Sequence, residues 1–287
     1  MTAPWPYPRA IAHRGGGSFA PENTLVAFAT GARFGFKMAE FDAKLSADDV
    51  AFLLHDDTVD RTSNGHGAAS EIPYDKIARL DAGSWFGERF SGERMPTLAD
   101  VARTVRELGM LVNIEIKPSP GREAITGERI AHDAAHLWDG CEPPLLSSFS
   151  ETALDAARLA QPDLPRGLLF GRVPADWRER TERLRCLSVH AGHAALDARI
   201  VADVKSAGFS LMAYTVNDPV RARALLEWGV DAICTDRIDQ FGPELGVFFF
   251  WATCSARMPH VFWPTTCEPG AAKRAPTSSS RTSRTRS

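Results

Sequence analysis

The sequence predicts a (β/α)₈ TIM barrel from its length, from eight short β-rich runs and from the helical patterns between them. The chain has 287 residues, and single barrels of this kind have about 250 residues. Short connections between alternating strands and helices favour a parallel sheet. Eight repeats favour closure over the alternative, a doubly wound open sheet. We predict strands over Ala10–His13, Met38–Lys44, Leu111–Ile116, Leu145–Ser148, Arg166–Phe170, Cys186–His190, Ser210–Thr215 and Ala232–Thr235.

Helices are predicted between these strands from apolar spacing and from capping residues. One begins near Leu25, where apolar residues recur at i+3, i+4 and i+7. Residues 97–100 read Thr-Leu-Ala-Asp, which resembles a capping box at a helix start. Residues 218–219 read Asp-Pro and begin another helix, which Gly229 ends.

The chain divides into one predicted domain and a tail. A ninth run, Val50–His55, follows strand 2 too closely for a parallel crossover, so it is predicted as the return arm of a hairpin. It lies in an insertion after strand 2, about 43–97, over the barrel mouth, where a long insertion is usually functional. The barrel domain is predicted over 1–245. Residues 246–287 lose periodicity and become basic and rich in Ser and Thr, so we predict a disordered tail.

Two further interpretations of the tail stay open: contact with nucleic acid or anionic lipid, and a frameshifted end. A solvated appendage is favoured over the first.

Composition excludes several classes of partner. The formal net charge is −3, so no global basic field argues for nucleic acid. The first ten residues lack a signal-peptide pattern, and the apolar run Val247–Ala252 is too short to insert across a membrane. Five scattered cysteines without a CxxC pair indicate reduced thiols and a cytoplasmic protein. A homodimer is left open.

Acidic residues alternate on two of the predicted strands. Glu40 and Asp42 share one face of a strand, because residues i and i+2 point the same way, and Phe41 takes the other face. Glu115 and Lys117 repeat this pattern around Ile116. Three inward carboxylates without a Cys or a metal-spaced His pair suit a hard divalent cation, Mg²⁺ or Ca²⁺. The alternative is a buried salt-bridge network.

Two histidines end predicted strands where barrel active sites are built. His13 ends strand 1 and His55 ends the return arm, so the pair can divide general-base and general-acid work. Arg14 and the glycines after it suit an oxyanion, through a guanidinium and backbone N–H groups that nothing covers. His132 and His136 are spaced i, i+4 but enclose no HExxH acid, so they are predicted to lie on a helix surface.

An ordered set of motifs, from about residue 6 to 243, resembles the glycerophosphodiester phosphodiesterase family. Within it, the chain is most similar to the cytoplasmic bacterial member linked to glycerol-3-phosphate uptake. The matching motifs are His13-Arg14-Gly15, Pro21-Glu22-Asn23-Thr24, Glu40-Phe41-Asp42, His55-Asp56, Arg61-Thr62, Glu115-Ile116-Lys117, Ser147-Ser148-Phe149, Thr215-Val216-Asn217 and Thr235-Asp236.

The resemblance implies a phospholipase-C-like barrel that hydrolyses glycerophosphodiesters, such as glycerophosphocholine and glycerophosphoethanolamine, to sn-glycerol 3-phosphate and an alcohol. It implies that the cation is held by Glu40, Asp42 and Glu115. It also implies that the acid and base are His13 and His55, and that phosphate is bound by Arg14 and Lys117. Tyr214 stands where the family has Trp.

The resemblance leaves the nucleophile and the exact substrate open. The substrate's glycerol 2-hydroxyl is favoured over water, with His13 as base and His55 as acid. One alternative is a lysophospholipase D or a sphingomyelinase-D-like phosphodiesterase. Others are a non-enzymatic binding module and a damaged copy whose C-terminus disturbs barrel closure.

Overall fold

A computed structural model describes residues 5–242 and Leu245. Eight parallel strands form a closed barrel, because the first strand pairs with the last at Ala12↔Thr235 and with the second at Ala12↔Ala39. The predicted barrel is therefore confirmed over the open sheet. The strands are β1 (Ala10–Ala12), β2 (Met38–Leu45), β3 (Ala51–Leu53), β4 (Leu111–Ile116), β5 (Leu145–Ser148), β6 (Arg166–Phe170), β7 (Ser188–Gly192), β8 (Ser210–Tyr214) and β9 (Ala232–Thr235).

Helices cover the outside of the barrel. Side chains on one face of each strand pack against them, as Phe41 of β2 does against Phe28, with ring centroids 5.4 Å apart. Burying each such ring contributes about 1.5–3 kcal/mol. The helices are α1 (Leu25–Arg33), α2 (Tyr74–Ile77), α3 (Leu98–Glu107), α4 (Glu123–Leu137), α5 (Glu151–Ala160), α6 (Trp177–Arg183), α7 (Ala198–Ser206) and α8 (Pro219–Trp228).

Two predicted helix ends are confirmed, the start of α3 and the end of α8. The Thr97 hydroxyl accepts the Asp100 N–H at 3.1 Å, and the Asp100 carboxylate accepts the Thr97 N–H at 3.3 Å, so the capping box at α3 is confirmed. Such a cap contributes about 1 kcal/mol. Gly229 ends α8 in the left-handed conformation, with φ of 107°, which costs glycine little.

Most predicted strands agree with the structure to within one residue, but β7 was placed two residues too early. It begins at Ser188 rather than at Cys186. The Cys186 N–H donates to the Thr181 carbonyl at 3.0 Å, and Arg185 has a positive φ of 50°. Cys186 therefore belongs to the turn that closes α6, which the apolar pattern of the run concealed.

The insertion after β2 begins with the predicted hairpin. β3 runs antiparallel to β2, with Ala43 opposite Leu53. Beyond it, the insertion forms a small apolar cluster of its own. That cluster contains α2 and fixes the position of the segment, and its buried members are Phe52, Leu54, Val59, Ala69, Ile77, Ala82 and Met95.

After β9, the chain still contributes to the barrel core. Ile238, Phe241 and Leu245 are buried and pack in the main apolar cluster. The predictions for 246–287, including the Val247–Ala252 run, lie outside the described residues.

Two observations bear on thiols and membranes. Cys141, Cys186 and Cys234 are free thiols, and Cys254 and Cys267 lie outside the described residues. No helix within the described ranges has the length and apolar character needed to cross a bilayer.

We propose a domain boundary near residue 245, which truncation tests. A chain ending at residue 245 should unfold at the same temperature as the full chain. A chain ending at Arg237 should unfold at least about 5 °C lower, because it loses three buried side chains worth about 1.5–3 kcal/mol each. Thermal unfolding followed by circular dichroism measures both. A chain ending at 245 that melts below the full chain would refute the boundary, whereas a higher melting temperature would support the damaged-copy alternative.

Candidate active site

Three carboxylates meet inside the barrel near the C-terminal ends of β2 and β4. The strand register places Asp42 opposite Glu115, with Glu40 one inward position below. One oxygen from each carboxylate lies within 4.8 Å of the others. All three residues are at most 9% exposed, so the structure brings together the acidic residues that the strand pattern selected.

Burial and mutual repulsion disturb the titration of this cluster. Burial, followed by the charge of Asp42, raises the pKa of Glu40 to about 7 and of Glu115 to about 8. Burial also acts to raise the pKa of Asp42, but nearby cations, led by Arg14, outweigh it and lower that pKa. The cluster therefore contains more negative charge than its surroundings compensate.

The salt-bridge alternative accounts for part of the cluster. Lys117 Nζ lies 3.0 Å from Glu115 Oε1, and Arg14 Nε lies 3.3 Å from Asp42 Oδ2. Glu40 Oε1, however, is buried and has no hydrogen-bond donor among the described residues. An oxygen-only donor set with an unpartnered buried carboxylate oxygen fits a hard divalent cation.

His13 is oriented by the carboxylate of Asp236, which directly follows the last barrel strand. Its Nδ1 lies 2.6 Å from Asp236 Oδ1, and Asn217 Nδ2 donates to the other Asp236 oxygen at 2.9 Å. Burial acts to lower the pKa of His13, but the Asp236 hydrogen bond and the Glu40 charge outweigh it and raise that pKa. Sequence reasoning gave Asp236 and Asn217 no role, although Asp236 directly follows β9, at the catalytic end of a barrel strand.

His55 follows β3 and has a different environment. Its Nδ1 lies 2.7 Å from Asp56 Oδ1, and its Nε2 lies 3.1 Å from Lys117 Nζ. An ammonium only donates, so we infer that Nε2 accepts and that the Nδ1–H donates to Asp56. Burial lowers the pKa of His55. This arrangement does not carry the Nε2 proton that the predicted role of general acid requires.

Arg14 lies in the loop between β1 and α1, beside the acidic cluster. Its Nη1 donates to Glu22 Oε1 at 2.7 Å, and its backbone N–H donates to Glu40 Oε2 at 3.1 Å. Asn23 lies beside it and brackets Asp42, donating to Oδ2 at 2.9 Å and accepting the Asp42 N–H at 3.1 Å. The guanidinium and the acidic cluster are thus fixed by the same loop.

The expected oxyanion site of uncovered glycine N–H groups is wrong for two of the three glycines. The Gly15 N–H donates to the Glu40 carbonyl at 3.1 Å, and the Gly17 N–H donates to the His13 carbonyl at 2.9 Å. Gly17 has φ of 51°, and a Cβ there would lie 2.2 Å from the Asp236 carbonyl oxygen. Gly17 therefore allows the turn to approach the residue after β9 closely, and neither Gly15 nor Gly17 presents a free donor.

Three other histidines of the described ranges do not belong to this cluster. His132 and His136 are exposed on α4, where the sequence placed them. His190 is fully buried inside the barrel, where its Nε2 lies 3.0 Å from Ser188 Oγ. Burial lowers the pKa of His190 to about 3, so this imidazole is neutral.

Among the cavities that the described residues form, two lie at the mouth of the barrel, beside different strands. One, of about 640 Å³, lies by β3, β4 and β5 and includes His55, Lys117 and Phe149 in its wall. The other, of about 340 Å³, lies by β6, β7 and β8 and includes Arg172, His193 and Tyr214. The Tyr214 hydroxyl donates to the Phe170 carbonyl at 2.8 Å, so the ring is held at this wall.

Known proteins share both the sequence and the fold. Residues 13–240 match the glycerophosphoryl diester phosphodiesterase family. A glycerophosphodiester phosphodiesterase of Caldanaerobacter subterraneus subsp. tengcongensis is 34% identical over 79% of this chain and 93% of its own length. One of Bacillus subtilis is 30% identical over 80% of this chain and 84% of its own length.

Among solved structures, an Oleispira antarctica phosphodiesterase in complex with the product sn-glycerol-3-phosphate is similar, with a TM-score of 0.76. It is 33% identical, and the match covers 83% of this chain and 95% of that one. A glycerophosphodiester phosphodiesterase of Agrobacterium tumefaciens has a TM-score of 0.68 at 27% identity, over 84% of this chain and 100% of that one. The chain described here therefore belongs to the glycerophosphoryl diester phosphodiesterase family.

Proposed function

We propose that this protein hydrolyses glycerophosphodiesters to sn-glycerol 3-phosphate and an alcohol. The observation that carries the proposal is the meeting of three buried carboxylates with two carboxylate-oriented histidines at the catalytic end of the barrel. The Oleispira relative, which holds sn-glycerol-3-phosphate as its product, supports the identity of the phosphate-bearing product.

In this proposal Glu40, Asp42 and Glu115 hold a divalent cation, Mg²⁺ or Ca²⁺. When bound, the cation supplies Lewis-acid stabilisation of charge on the phosphoryl oxygens. The raised pKa values of Glu40 and Glu115 support this assignment, because burial and the charge of Asp42 favour their protonated forms and a bound cation would offset both effects.

Arg14 and Lys117 bind the phosphodiester. Arg14 offers a planar set of donors that suits phosphate oxygens, and its contacts with Glu22 and Asp42 fix the plane of that set. Lys117 Nζ lies between Glu115 and His55, within 3.1 Å of both. Its ammonium can therefore contact a phosphate beside the second histidine.

The two histidines carry the protons of the reaction. One removes the proton of the attacking oxygen, which is the substrate's glycerol 2-hydroxyl or a water molecule. That oxygen forms a bond to phosphorus, the bond from phosphorus to the leaving alcohol breaks, and the other histidine protonates the alkoxide. Attack by the 2-hydroxyl gives a cyclic phosphate, which water then opens. Asp236 and Asp56 hold the two imidazoles through their Nδ1 atoms.

A phosphodiester carries two alcohol groups, and each of the two cavities described at the barrel mouth suits one of them. The larger reaches His55 and Phe149, and the smaller reaches Tyr214. A cytoplasmic location and a homodimer stay predictions, and scattered free thiols support the first.

Purified protein should release sn-glycerol 3-phosphate from glycerophosphocholine in the presence of Mg²⁺ or Ca²⁺, and EDTA should abolish this release. A coupled assay with glycerol-3-phosphate dehydrogenase measures the product. Lysophosphatidylcholine should be a poorer substrate when tested in parallel. A preference for it would favour the lysophospholipase D alternative, and no turnover of any diester would favour a binding module.

His13→Ala and His55→Ala should each reduce kcat for glycerophosphocholine by about 10²–10⁴-fold, because each removes one proton-transfer group. His132→Ala, on the exposed face of α4, is the matched control and should retain activity. A glycerophosphodiester with a p-nitrophenol leaving group divides the roles, since it needs little protonation. The variant that lacks the acid should recover most on it. Full activity in either variant on both substrates would contradict the assignment.

The carboxylate cluster should link metal binding to pH. Carboxyl groups with an ordinary pKa of 4.5 titrate at about 7 for Glu40 and about 8 for Glu115 in the folded protein. The folded protein without a cation therefore retains protons that the unfolded chain releases. This stabilisation is complete below about pH 4.5 and is lost as pH rises through about 7 to 8.

A divalent cation competes with those protons, so it should raise Tm more at pH 8 than at pH 5. Differential scanning fluorimetry in EDTA, Mg²⁺ or Ca²⁺ measures the shift. Glu115→Gln, which does not titrate, should show a smaller cation effect at pH 8 while remaining folded. An equal cation effect at both pH values, or a Glu115→Gln variant that does not fold, would favour the salt-bridge alternative.

A further inference from the structure

Arg61 belongs to a motif that the proposed chemistry does not use. It lies in the insertion after β2, and its guanidinium contacts two carboxylates at once. Nε and Nη2 donate to Asp56 at 2.6 and 3.0 Å, and Nη1 and Nη2 donate to Glu22 at 2.8 Å each. Both carboxylates are therefore held by paired, charge-assisted hydrogen bonds, which are the strongest kind in proteins.

Each of these carboxylates in turn contacts a residue of the candidate site. Asp56 accepts from His55 Nδ1 at 2.7 Å, and Glu22 accepts from Arg14 Nη1 at 2.7 Å. Arg61 itself does not line the larger cavity. Arg61 is therefore connected to His55 through Asp56, and to Arg14 through Glu22.

The geometry requires an arginine rather than any cation. Two parallel pairs of N–H donors in one plane match two carboxylates, and the ammonium of a lysine has no such fixed set of donors. Isolated exposed ion pairs contribute little to stability, because solvent and side-chain entropy weaken them. Arg61 is 45% exposed, so its importance lies in the positions that it imposes on Asp56 and Glu22.

We propose that Arg61 is a positioning residue, which sets the imidazole of His55 through Asp56 and the guanidinium of Arg14 through Glu22. The insertion is then a structural part of the active site, because it contains the arginine that fixes the positions of these two side chains relative to each other. This inference rests on the proposed function for its kinetic consequences, but not for its structural ones.

The structural consequence is tested by nitrogen-15 NMR of the histidine side chains, which reports the tautomer of each imidazole and needs no substrate. In the wild-type protein, His55 should be the Nδ1–H tautomer. In Arg61→Ala, the His55 signals should shift towards a mixture of tautomers, whereas those of the buried His190 should not move. Unchanged His55 signals in Arg61→Ala would overturn the proposal, whether or not the protein is a phosphodiesterase.

The kinetic consequence is tested on glycerophosphocholine. Arg61→Ala should reduce kcat by about 10²-fold, as expected for a small misplacement of reacting groups, with Tm close to wild type. Arg61→Lys should recover only part of the loss, and added guanidinium ion should partly rescue Arg61→Ala. Arg178→Ala, which removes an exposed arginine paired with Glu182 on α6, is the matched control and should behave as wild type.

Double-mutant cycles separate positioning from a general loss of stability. Arg61→Ala combined with Asp56→Asn, or with Glu22→Gln, should lose less activity than the product of the single losses, because each pair acts as one unit. Multiplicative losses in both cycles, or a kcat within 3-fold of wild type (about 0.65 kcal/mol) for Arg61→Ala, would overturn the proposal. An inactive wild type would instead count against the proposed function, and the NMR comparison would still decide the role of Arg61.

Discussion

The crowding of Glu40, Asp42 and Glu115 is the constraint on which the rest of the site depends. Parallel register places Asp42 directly opposite Glu115, and neither backbone can move without breaking the barrel. Three buried negative charges this close repel one another strongly, since little water screens them. Arg14 and Lys117 contact this cluster and compensate part of its charge, and Asn23 donates a hydrogen bond to Asp42. In the proposed mechanism, a divalent cation would complete that compensation and would supply the net positive charge that a phosphodiester needs.

The histidines illustrate how the barrel divides structural tasks. The strand ends fix the backbone positions of His13 and His55. The orientation of each ring is set by a carboxylate that also follows a strand end, Asp236 for His13 and Asp56 for His55. The two imidazoles nevertheless differ in environment. One faces Glu40 at 3.9 Å and the other faces Lys117 at 3.1 Å. The Asp236 hydrogen bond and the Glu40 charge raise the pKa of His13, whereas burial lowers the pKa of His55. The two pKa values are thereby separated, as the proposed division of proton transfers requires.

The sequence could predict whatever depends on local periodicity. Alternation along β2 and β4 identified the inward carboxylates, since Phe41 and Ile116 had to face the helices. The partner of His13 could not be found in this way, because Asp236 lies 223 residues away and becomes a neighbour only when β9 pairs with β1. The same closure explains the error over the glycine N–H groups. Gly17 is needed for close approach to Asp236, which no local pattern records.

The insertion after β2 carries charged side chains whose contribution depends on how rigid the insertion is. Lys44, near the end of β2, is buried and pairs with Asp57 of the insertion at 2.9 Å, and Arg61 joins Asp56 to Glu22 from a partly exposed position. Ion pairs of this kind are weak when their side chains must be ordered from solution. Here the apolar cluster around Phe52 and Ile77 fixes the backbone, so the charged groups lose less entropy when they pair. The small core of the insertion therefore contributes to the site by making its electrostatic contacts rigid.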